Sequence, residues 1–390
     1  MHFYKFQADN IFSGSKLLPE NMVLITDEKG TIVDILEQEE AGDSIQIMQG
    51  ILSPGFINCH CHLELSHLKG LIPEKTGLVD FVCAIVSQRH FAQEVILNGI
   101  INGENEMLTN GIVAVGDISN NLFTLGQKEK GNLKYYNFIE TSGWLPDFAK
   151  IRMNNSIEYF NSFSKVGPSA IVPHSPYAVS DSLWQLLAPF FSGKTVSIHN
   201  QETIFEDSFF LEKSGDLLRM YEVMKLDTSF FQPTGKSSLQ TYYSKLTAAA
   251  AIILVHNTFT KQADLDYLKT FSQFDDTFFC ICPNANKYIQ QAFPPLEMFI
   301  KNNCNIVFGT DSLASNWSLS ILDEMKTIHR NLPTISFEEM LIWATNNGAK
   351  ALQMDNHLGS FIKGKQPGIV LIEGIENDHV VSNTTVRRLL

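Results

Sequence analysis

Positive charge is scarce in this 390-residue chain, which has 29 Lys and Arg against 42 Asp and Glu and a formal net charge of −13. Nucleic acids and anionic membranes bind proteins through a surplus of basic residues, so we expect neither as a partner. Cysteine is also rare. Six cysteines without a regular framework of spacings predict reduced thiols rather than disulfides.

Long apolar runs are missing as well. The run over 248–255 is far shorter than the roughly 20 residues that a membrane helix needs. Residues 1–10 interrupt their apolar side chains with charge, which is not the pattern of a secretory signal peptide. Together these features predict a cytoplasmic protein.

The chain does have the composition of a globular protein, with 44% hydrophobic, 11% aromatic and 18% charged residues. Short β-branched and aliphatic runs alternate with stretches of helical periodicity, such as 77–98. This alternation, repeated eight times, predicts an α/β fold, a (β/α)8 TIM barrel with buried parallel strands. The predicted strands cover 52–62, 111–119, 135–141, 170–175, 195–200, 251–257, 278–283 and 305–311.

The two ends of the chain have a different pattern, with short strand-like runs separated by turns. A turn over 27–30 joins the runs 22–26 and 31–35, and glycines interrupt the residues after 358. Neither end is long enough to form a core of its own. We predict that residues 1–53 and 357–390 form one composite β-sandwich beside a barrel domain of residues 54–356.

The strongest chemical pattern lies at the end of the first predicted barrel strand, in the run 54–62, which contains His60 and His62. Because strand side chains alternate between faces, these two histidines point the same way. Two imidazoles on one face at the rim of a barrel can hold a borderline metal such as zinc. Two packed histidines without a metal are the alternative interpretation of this pair alone.

Other polar residues fall at the ends of later strands. His174 closes the fourth predicted strand, His199 the fifth and His256 the sixth, and the eighth ends in Asp311. Since a barrel keeps its active site at the strand C-termini, this set predicts one metal site rather than scattered structural histidines. The three or four protein ligands that a catalytic zinc needs are predicted to be His60, His62, His199 and Asp311.

The predicted metal would lower the pKa of a bound water and provide hydroxide at neutral pH. We expect one divalent ion, zinc because the ligands are rich in histidine, although Fe2+ or Mn2+ can occupy such a site. Glu202, three residues after His199, is placed to shuttle protons, unless it is a solvated or helix-starting carboxylate. Asp311 can bind the metal through one oxygen and accept the water's proton with the other. His256 is either a fifth ligand or a hydrogen-bonding partner of hydroxide and substrate, and we favour the second role.

These residues resemble the metal signature of the amidohydrolase superfamily, and the resemblance covers essentially the whole chain, including the run 358–370. Binuclear members usually carry a carboxylated lysine on strand four, and 170–174 has no lysine. The resemblance therefore implies the mononuclear branch, which contains aminohydrolases of ring amines. It also implies that His199 is a ligand, that Glu202 is the proton shuttle and that His256 orients hydroxide.

Further motifs resemble the nucleoside deaminases and chlorohydrolase-like enzymes of that branch. The run 173–180 is similar to their strand-four motif, which implies that His174 contacts substrate. Residues 282–286 resemble their Cys-Pro-x-Ser-Asn loop, with Ala285 in place of serine, and 345–352 matches a late helix. The run 62–66 looks like that of aminodeoxyfutalosine deaminases. Adenosylhomocysteine deaminases usually place arginines soon after strand three, and 141–150 has none.

Several further residues near the predicted rim are candidates for substrate contact. Glu64 and Ser66 could hydrogen-bond a polar ring or sugar, unless Glu64 caps the next helix. Arg89 could reach a substrate carboxylate such as a futalosine-like benzoate, unless it is solvated. Trp144 and Trp317 lie just beyond strands three and eight, where an aromatic ring can stack on a flat heterocycle or simply pack.

The sequence thus predicts a hydrolase of carbon–nitrogen bonds other than peptide bonds, which deaminates a ring amine of a small purine-nucleoside-like molecule. The alternative is an amidase or a halide-releasing hydrolase that acts on a related heterocycle with the same site. A catalytically inactive binding protein is disfavoured because all four candidate ligands and Glu202 occur together. The sequence leaves open whether the chain forms a homodimer.

Overall fold

Strands and helices alternate through most of the chain in the computed structural model, which describes residues 2–377 and 379–390. In chain order the strands are β1 (Phe3–Gln7), β2 (Asn10–Ile11), β3 (Met22–Asp27), β4 (Ile32–Glu37), β5 (Gln46–Ile47), β6 (Ile51–Pro54), β7 (Phe56–Cys61), β8 (Ile112–Ser119), β9 (Lys134–Thr141), β10 (Ser169–Pro173), β11 (Thr195–Asn200), β12 (Ala251–His256), β13 (Thr277–Ile281), β14 (Asn305–Phe308), β15 (Ile369–Glu373) and β16 (Thr385–Arg388). The α-helices are α1 (Gln38–Ala41), α2 (Leu78–Gln88), α3 (Gln93–Thr109), α4 (Leu125–Lys128), α5 (Ala149–Phe163), α6 (Asp181–Leu187), α7 (Ile204–Glu212), α8 (Leu217–Val223), α9 (Ser238–Tyr242), α10 (Gln262–Leu268), α11 (Pro283–Gln290), α12 (Leu296–Lys301), α13 (Ile321–Asn331), α14 (Phe337–Ile342) and α15 (Gly348–Ala351). The predicted α/β class is confirmed.

Strands β7 to β14 form two parallel four-stranded sheets, in the orders β10-β9-β8-β7 and β11-β12-β13-β14. Backbone hydrogen bonds join the sheets at both seams. At one seam, His199 N donates to the carbonyl of His174 over 3.0 Å. At the other, Thr310 N and Asp311 N donate to the carbonyl of His60 over 3.0 and 3.1 Å. Nearly every residue of these strands is buried, as expected for parallel sheets covered by helices.

The two chain ends contribute strands to two smaller sheets, in the orders β4-β3-β1-β5 and β16-β15-β6-β2. Strand β15, near the C-terminus, runs antiparallel to β6, with Ile369 opposite Pro54. Side chains from both ends, such as Phe6, Leu52 and Leu371, share one apolar cluster. The terminal segments therefore depend on each other for burial.

The predicted strand over 52–62 is two strands in the structure. Strand β6 pairs with the terminal strand β15, whereas β7 pairs with β8 in a parallel sheet, and Gly55 lies between them. A Cβ atom at Gly55 would lie 2.2 Å from Val113 Cγ1, so only glycine fits this close approach. The apolar run is continuous in sequence, but the chain passes from one sheet to another in the middle of it.

The helical stretch predicted over 77–98 is also divided. Helix α2 ends at Gln88 and α3 begins at Gln93. Ala92 has a ψ of 140°, which is extended rather than helical, so the chain turns between the two helices. Arg89 is therefore a helix-terminal residue beside a loop. Among the described helices, none combines the length and the apolar character that crossing a bilayer requires.

Candidate active site

The four predicted metal ligands meet at the C-terminal ends of the parallel strands. His60 is in β7, His62 follows it, His199 is in β11, and Asp311 follows β14. His62 Nε2 and His199 Nε2 are 3.3 Å apart. Asp311 Oδ1 lies 3.6 Å from His60 Nε2 and 3.5 Å from His62 Nε2. All four side chains are buried, so the structure brings the predicted set together away from bulk water.

The possible ligand atoms form two overlapping sets, His60 with His62 and His199, and His60 with His256 and Asp311, and within each set the atoms lie within 4.8 Å of one another. Two ligand atoms about 2.0–2.1 Å from one tetrahedral cation are about 3.3 Å apart, and this is the separation of the His62 and His199 Nε2 atoms. Both ring nitrogens of His60 are buried without a hydrogen-bond partner among the described residues, which is costly unless a ligand binds there. His199 Nδ1 donates to the carbonyl of His174 over 2.8 Å, which leaves its Nε2 lone pair available.

The protonation states of the three histidines and Asp311 also favour cation binding. Burial lowers the pKa of His60 and of His199, and burial together with the charge of His60 lowers that of His62 to about 4. Burial alone would raise the pKa of Asp311, but the interaction with His60 and the charge of His62 hold it well below its usual range. Ser315 Oγ donates to Asp311 Oδ2 over 2.6 Å, so Oδ1 remains directed at the histidines. Neutral imidazoles and an ionised carboxylate are the forms that bind metal.

Glu202 and His256 lie beside this cluster. Glu202 Oε1 is 3.7 Å from His256 Nε2, and both side chains are buried. His256 Nδ1 donates to Asn286 Oδ1 over 2.9 Å, and this bond fixes the ring with Nε2 toward Glu202. Burial raises the pKa of Glu202, against the opposing charge of His256, so this carboxyl holds a proton more readily than an exposed glutamate does.

A second polar network adjoins the cluster through Glu140. Its Oε1 is 2.7 Å from His174 Nδ1 and 3.4 Å from His199 Nδ1. Asn120 Nδ2 donates to Glu140 and to Glu64, over 3.0 and 3.1 Å. Burial disfavours both charges of the Glu140 and His174 pair, but their attraction lowers the pKa of Glu140 and raises that of His174. Burial raises the pKa of Glu64 to about 7.

A cavity of about 410 Å³ adjoins this network. Glu64, Asn120 and Glu140 line it, and Glu140 connects it to the histidine cluster. Arg89, at the end of α2, and Arg152, in α5, line it as well. Neither guanidinium has an ion-pair partner within 2–377 and 379–390, so both are available to a ligand in a cavity that Glu64 and Glu140 also line.

Four of the residues predicted to contact substrate do not line this cavity. His174 is one of them and pairs with Glu140; the other three have structural partners. Ser66 Oγ donates to a backbone carbonyl in its own 3-10 turn over 2.8 Å. Trp144 is buried in an aromatic cluster with α7 and α8, and its Nε1 donates to the carbonyl of Asp227 over 2.9 Å. Trp317 is 48% exposed, and its Nε1 donates to Glu74 over 2.8 Å. The structure gives each of them a structural partner.

Two residues without a predicted role contact side chains of the site: Asn286 contacts His256, and Asn120 contacts Glu64 and Glu140. Asn286 belongs to the loop motif 282–286, but only the structure shows its amide beside His256. Asn120 lies one residue past β8, where its side chain bridges two carboxylates. Both are polar residues directly after strands or in the first turn that follows, and that position is the signal that could have identified them.

The chain is similar to known proteins over most of its length. The profile of the amidohydrolase family matches residues 51–387. The chain is 27% identical over 315 residues to an adenosine deaminase from Helicobacter pylori, covering 78% of this chain and 75% of that protein. Its fold is similar to the crystal structure of Helicobacter pylori aminofutalosine deaminase, with a TM-score of 0.77, 21% identity and all of both chains covered. It is also similar to a zinc-bound adenosine deaminase from Xanthomonas campestris, with a TM-score of 0.72, 19% identity and coverage of 95% of this chain and 84% of that one.

The family match extends over most of the chain and includes every residue of the histidine and aspartate cluster. The sequence-based resemblance is therefore confirmed, and so is the prediction of a hydrolase of carbon–nitrogen bonds other than peptide bonds. The chain belongs to the amidohydrolase family.

Proposed function

We propose that this protein is a metal-dependent aminohydrolase that replaces the ring amine of an adenine-like nucleoside with a carbonyl and releases ammonia. The observation that carries the proposal is the buried Glu202 carboxyl, 3.7 Å from His256 Nε2 and beside a cluster of cation-binding side chains. The relatives named as adenosine deaminases support this reaction class. We further propose that the two parallel sheets act as one (β/α)8 barrel of residues 54–356, flanked by a composite sandwich of 1–53 and 357–390.

The residues that would hold the metal are His60, His62, His199 and Asp311. A histidine-rich set favours zinc, which is also bound in the similar structure from Xanthomonas campestris, and Fe2+ or Mn2+ are the alternatives. When bound, such a cation lowers the pKa of a water molecule toward neutrality and so supplies the nucleophile.

The side chains of the protein then move the protons. In the reaction, an oxygen of water bonds to the amine-bearing ring carbon, and the carbon–nitrogen bond breaks. Glu202, whose pKa burial raises, gives a proton to the adjacent ring nitrogen, and Asp311 accepts a proton of the water. His256 Nε2 orients the attacking oxygen. Asp311 passes its proton to the departing amine, and the second water proton returns to Glu202 as the ring carbonyl forms. One water is therefore consumed, one ammonia is released, and both carboxyl groups regain their starting protonation.

For the substrate we propose a nucleoside that also carries a carboxylate, as aminodeoxyfutalosine does through its benzoate. Arg89 and Arg152 supply positive charge in the 410 Å³ cavity that adjoins the histidine cluster. A guanidinium binds a carboxylate through charge-assisted, often bidentate hydrogen bonds. The run 62–66 and the similar structure of an aminofutalosine deaminase support the same choice.

The test is ammonia release by the zinc-loaded protein across aminodeoxyfutalosine, adenosine, adenosylhomocysteine, guanine and cytosine. We expect turnover of the nucleosides and the highest kcat/KM for aminodeoxyfutalosine. If none of the five compounds released ammonia, with metal confirmed in the protein, the proposal would be contradicted. Release of chloride from halogenated rings would favour the halide hydrolase instead.

Variants separate the two parts of the proposal. Glu202→Gln should lower kcat about 10²- to 10⁴-fold and leave a small residual rate, with the metal content unchanged, because the amide cannot give and recover the proton. Arg89→Gln and Arg152→Gln should raise KM for aminodeoxyfutalosine about tenfold or more but leave adenosine unaffected. Arg330→Gln, an exposed change in α13, is the matched control. An equal effect of the cavity variants on both substrates would contradict the carboxylate subsite.

A further inference from the structure

We propose that Gln201 is a positioning residue, whose buried amide fixes the direction of Glu202 through the backbone; this rests on the proposed proton-shuttle role of Glu202. Gln201 lies between the last residue of β11 and Glu202 and is fully buried. Its φ of 44° is in the left-handed region, which is unfavourable for a residue with a Cβ. Interactions of the Gln201 side chain with its neighbours must therefore stabilise this backbone conformation.

The Gln201 side chain is held by a set of hydrogen bonds that uses both halves of the amide. Its Nε2 donates to Asp207 Oδ1 over 3.1 Å and to Asp264 Oδ2 over 2.9 Å. Its Oε1 accepts from Thr260 Oγ1 over 2.7 Å and from Asn200 Nδ2 over 3.4 Å. An amide has two N–H donors and two oxygen lone pairs, so the capacity of this side chain is filled.

We call Gln201 and its partners Asp207, Asp264, Thr260 and Asn200 the clamp. Its two carboxylates are on separate helices, and each accepts further hydrogen bonds. Asp207 is in α7 and accepts from Lys261 Nζ over 2.8 Å. Asp264 is in α10 and accepts from Ser237 Oγ over 2.5 Å and from Gln240 Nε2 over 3.2 Å. Gln201 therefore ties the end of β11 to two helices of the outer layer.

The carboxylate of Glu202 has no comparable support, although Gln290 Nε2 donates to the backbone carbonyl of this residue. Among the described residues, no side chain donates a hydrogen bond to its carboxylate, and its contact with His256 Nε2 is 3.7 Å long. Its direction is therefore set by the backbone that leads to it. Because catalytic geometry tolerates little displacement, with about 1 Å capable of costing a hundredfold in rate, loosening Gln201 should act on catalysis.

The experiment compares kcat, KM and metal content of Gln201→Met, which keeps the length of the side chain but makes none of the four hydrogen bonds. We expect kcat to fall ten- to a hundredfold with KM and metal content close to those of the wild type. Gln262→Ala is the control: it is an exposed change in α10 that removes hydrogen bonds to Asp266 and Asn302 only, and it should leave kcat within twofold of the wild type. If Gln201→Met does not fold, Thr260→Val removes the 2.7 Å bond to Gln201, together with a 3.5 Å bond from Asn200 Nδ2, and should lower kcat by a smaller factor.

A double variant separates positioning from a general structural role. If Gln201 acts through Glu202, then adding Gln201→Met to Glu202→Gln should not reduce the residual rate further. A further drop of tenfold or more in that background, or a wild-type kcat for Gln201→Met, would overturn the inference. Full activity of Glu202→Gln would instead refute the proposed function itself, so the two failures are distinguishable.

Discussion

The buried carboxyl of Glu206 should make the protein less stable as pH rises, and Glu206→Gln should remove this dependence. Glu206 is in α7 and is fully buried. Ser238 Oγ donates to its Oε1 over 2.6 Å, whereas its Oε2 has no hydrogen-bond partner among the described residues. Burial raises the pKa of Glu206 from 4.5 to about 8, with Asp207 and Glu202 adding to the effect.

The magnitude follows from proton linkage. Between the two pKa values the folded chain keeps a proton that the unfolded chain has released, so the free energy of unfolding falls with increasing pH. Each pH unit in this window corresponds to about 1.4 kcal/mol. From pH 5.5 to 7.5, Glu206 should therefore reduce the free energy of unfolding by about 3 kcal/mol. Below about pH 4.5 both states hold the proton, and above about pH 8 the loss levels off.

Denaturant unfolding of the metal-free protein tests this, because no metal-coupled protonation then overlaps with the effect. Gln is neutral at every pH, so the stability of Glu206→Gln relative to the wild type should rise by about 3 kcal/mol from pH 5.5 to 7.5. Any cost of its new amide is independent of pH and cancels. Glu212→Gln, an exposed change in the same helix, should follow the wild type. A constant difference between Glu206→Gln and the wild type would refute the reasoning.

Three further perturbations concern the metal site. Gly309→Ala would place a Cβ atom 2.8 Å from His60 Cβ. We expect this clash to lower the free energy of unfolding by about 1–3 kcal/mol and to weaken zinc retention. Gly126→Ala, which has open space around its Cβ position, should change neither property. Ser315→Ala removes the donor to Asp311 Oδ2 and should weaken zinc affinity about 10- to 100-fold, measured by competition with a chelator; unchanged affinity would contradict the role of this bond. Chelation of the metal should abolish deamination and lower Tm, and added zinc should restore both, measured by ammonia release and thermal unfolding.

The regular parts of the fold were predictable because local patterns determine them. The predicted strand over 195–200 coincides with β11, and that over 111–119 starts one residue before β8. Both are buried apolar runs that end in polar residues, and this pattern belongs to parallel strands. The segments 52–62 and 77–98 were each predicted as one continuous element, and the structure divides each of them into two. The first is broken by packing of Gly55 against Val113, a contact between segments far apart in sequence that periodicity cannot show.

The site was predictable to the extent that its residues occupy strand ends. His60, His62, His199 and Asp311 were found because each falls at the same kind of position, and the structure brings them together. The residues around them were harder to find because their positions are set by tertiary contacts. Arg152 is in the middle of α5, and nothing in the sequence of that helix distinguishes it from a solvated arginine. Its place beside the 410 Å³ cavity depends on where α5 packs.

Backbone strain at the strand ends links the fold to its chemistry. His256 and Asp311 have φ values of 73° and 56°, and Gln201 has 44°, so three site residues adopt the left-handed conformation. Such a conformation costs about 1–2 kcal/mol for each residue with a Cβ, and glycine would avoid the cost. Each strained residue has a buried side chain with a specific partner at the site or in the clamp beside it. The left-handed turn redirects the chain just past each strand and aims the side chain at the rim. The strain is therefore a consequence of placing several polar side chains around one point, and the hydrogen bonds around them are what make it tolerable.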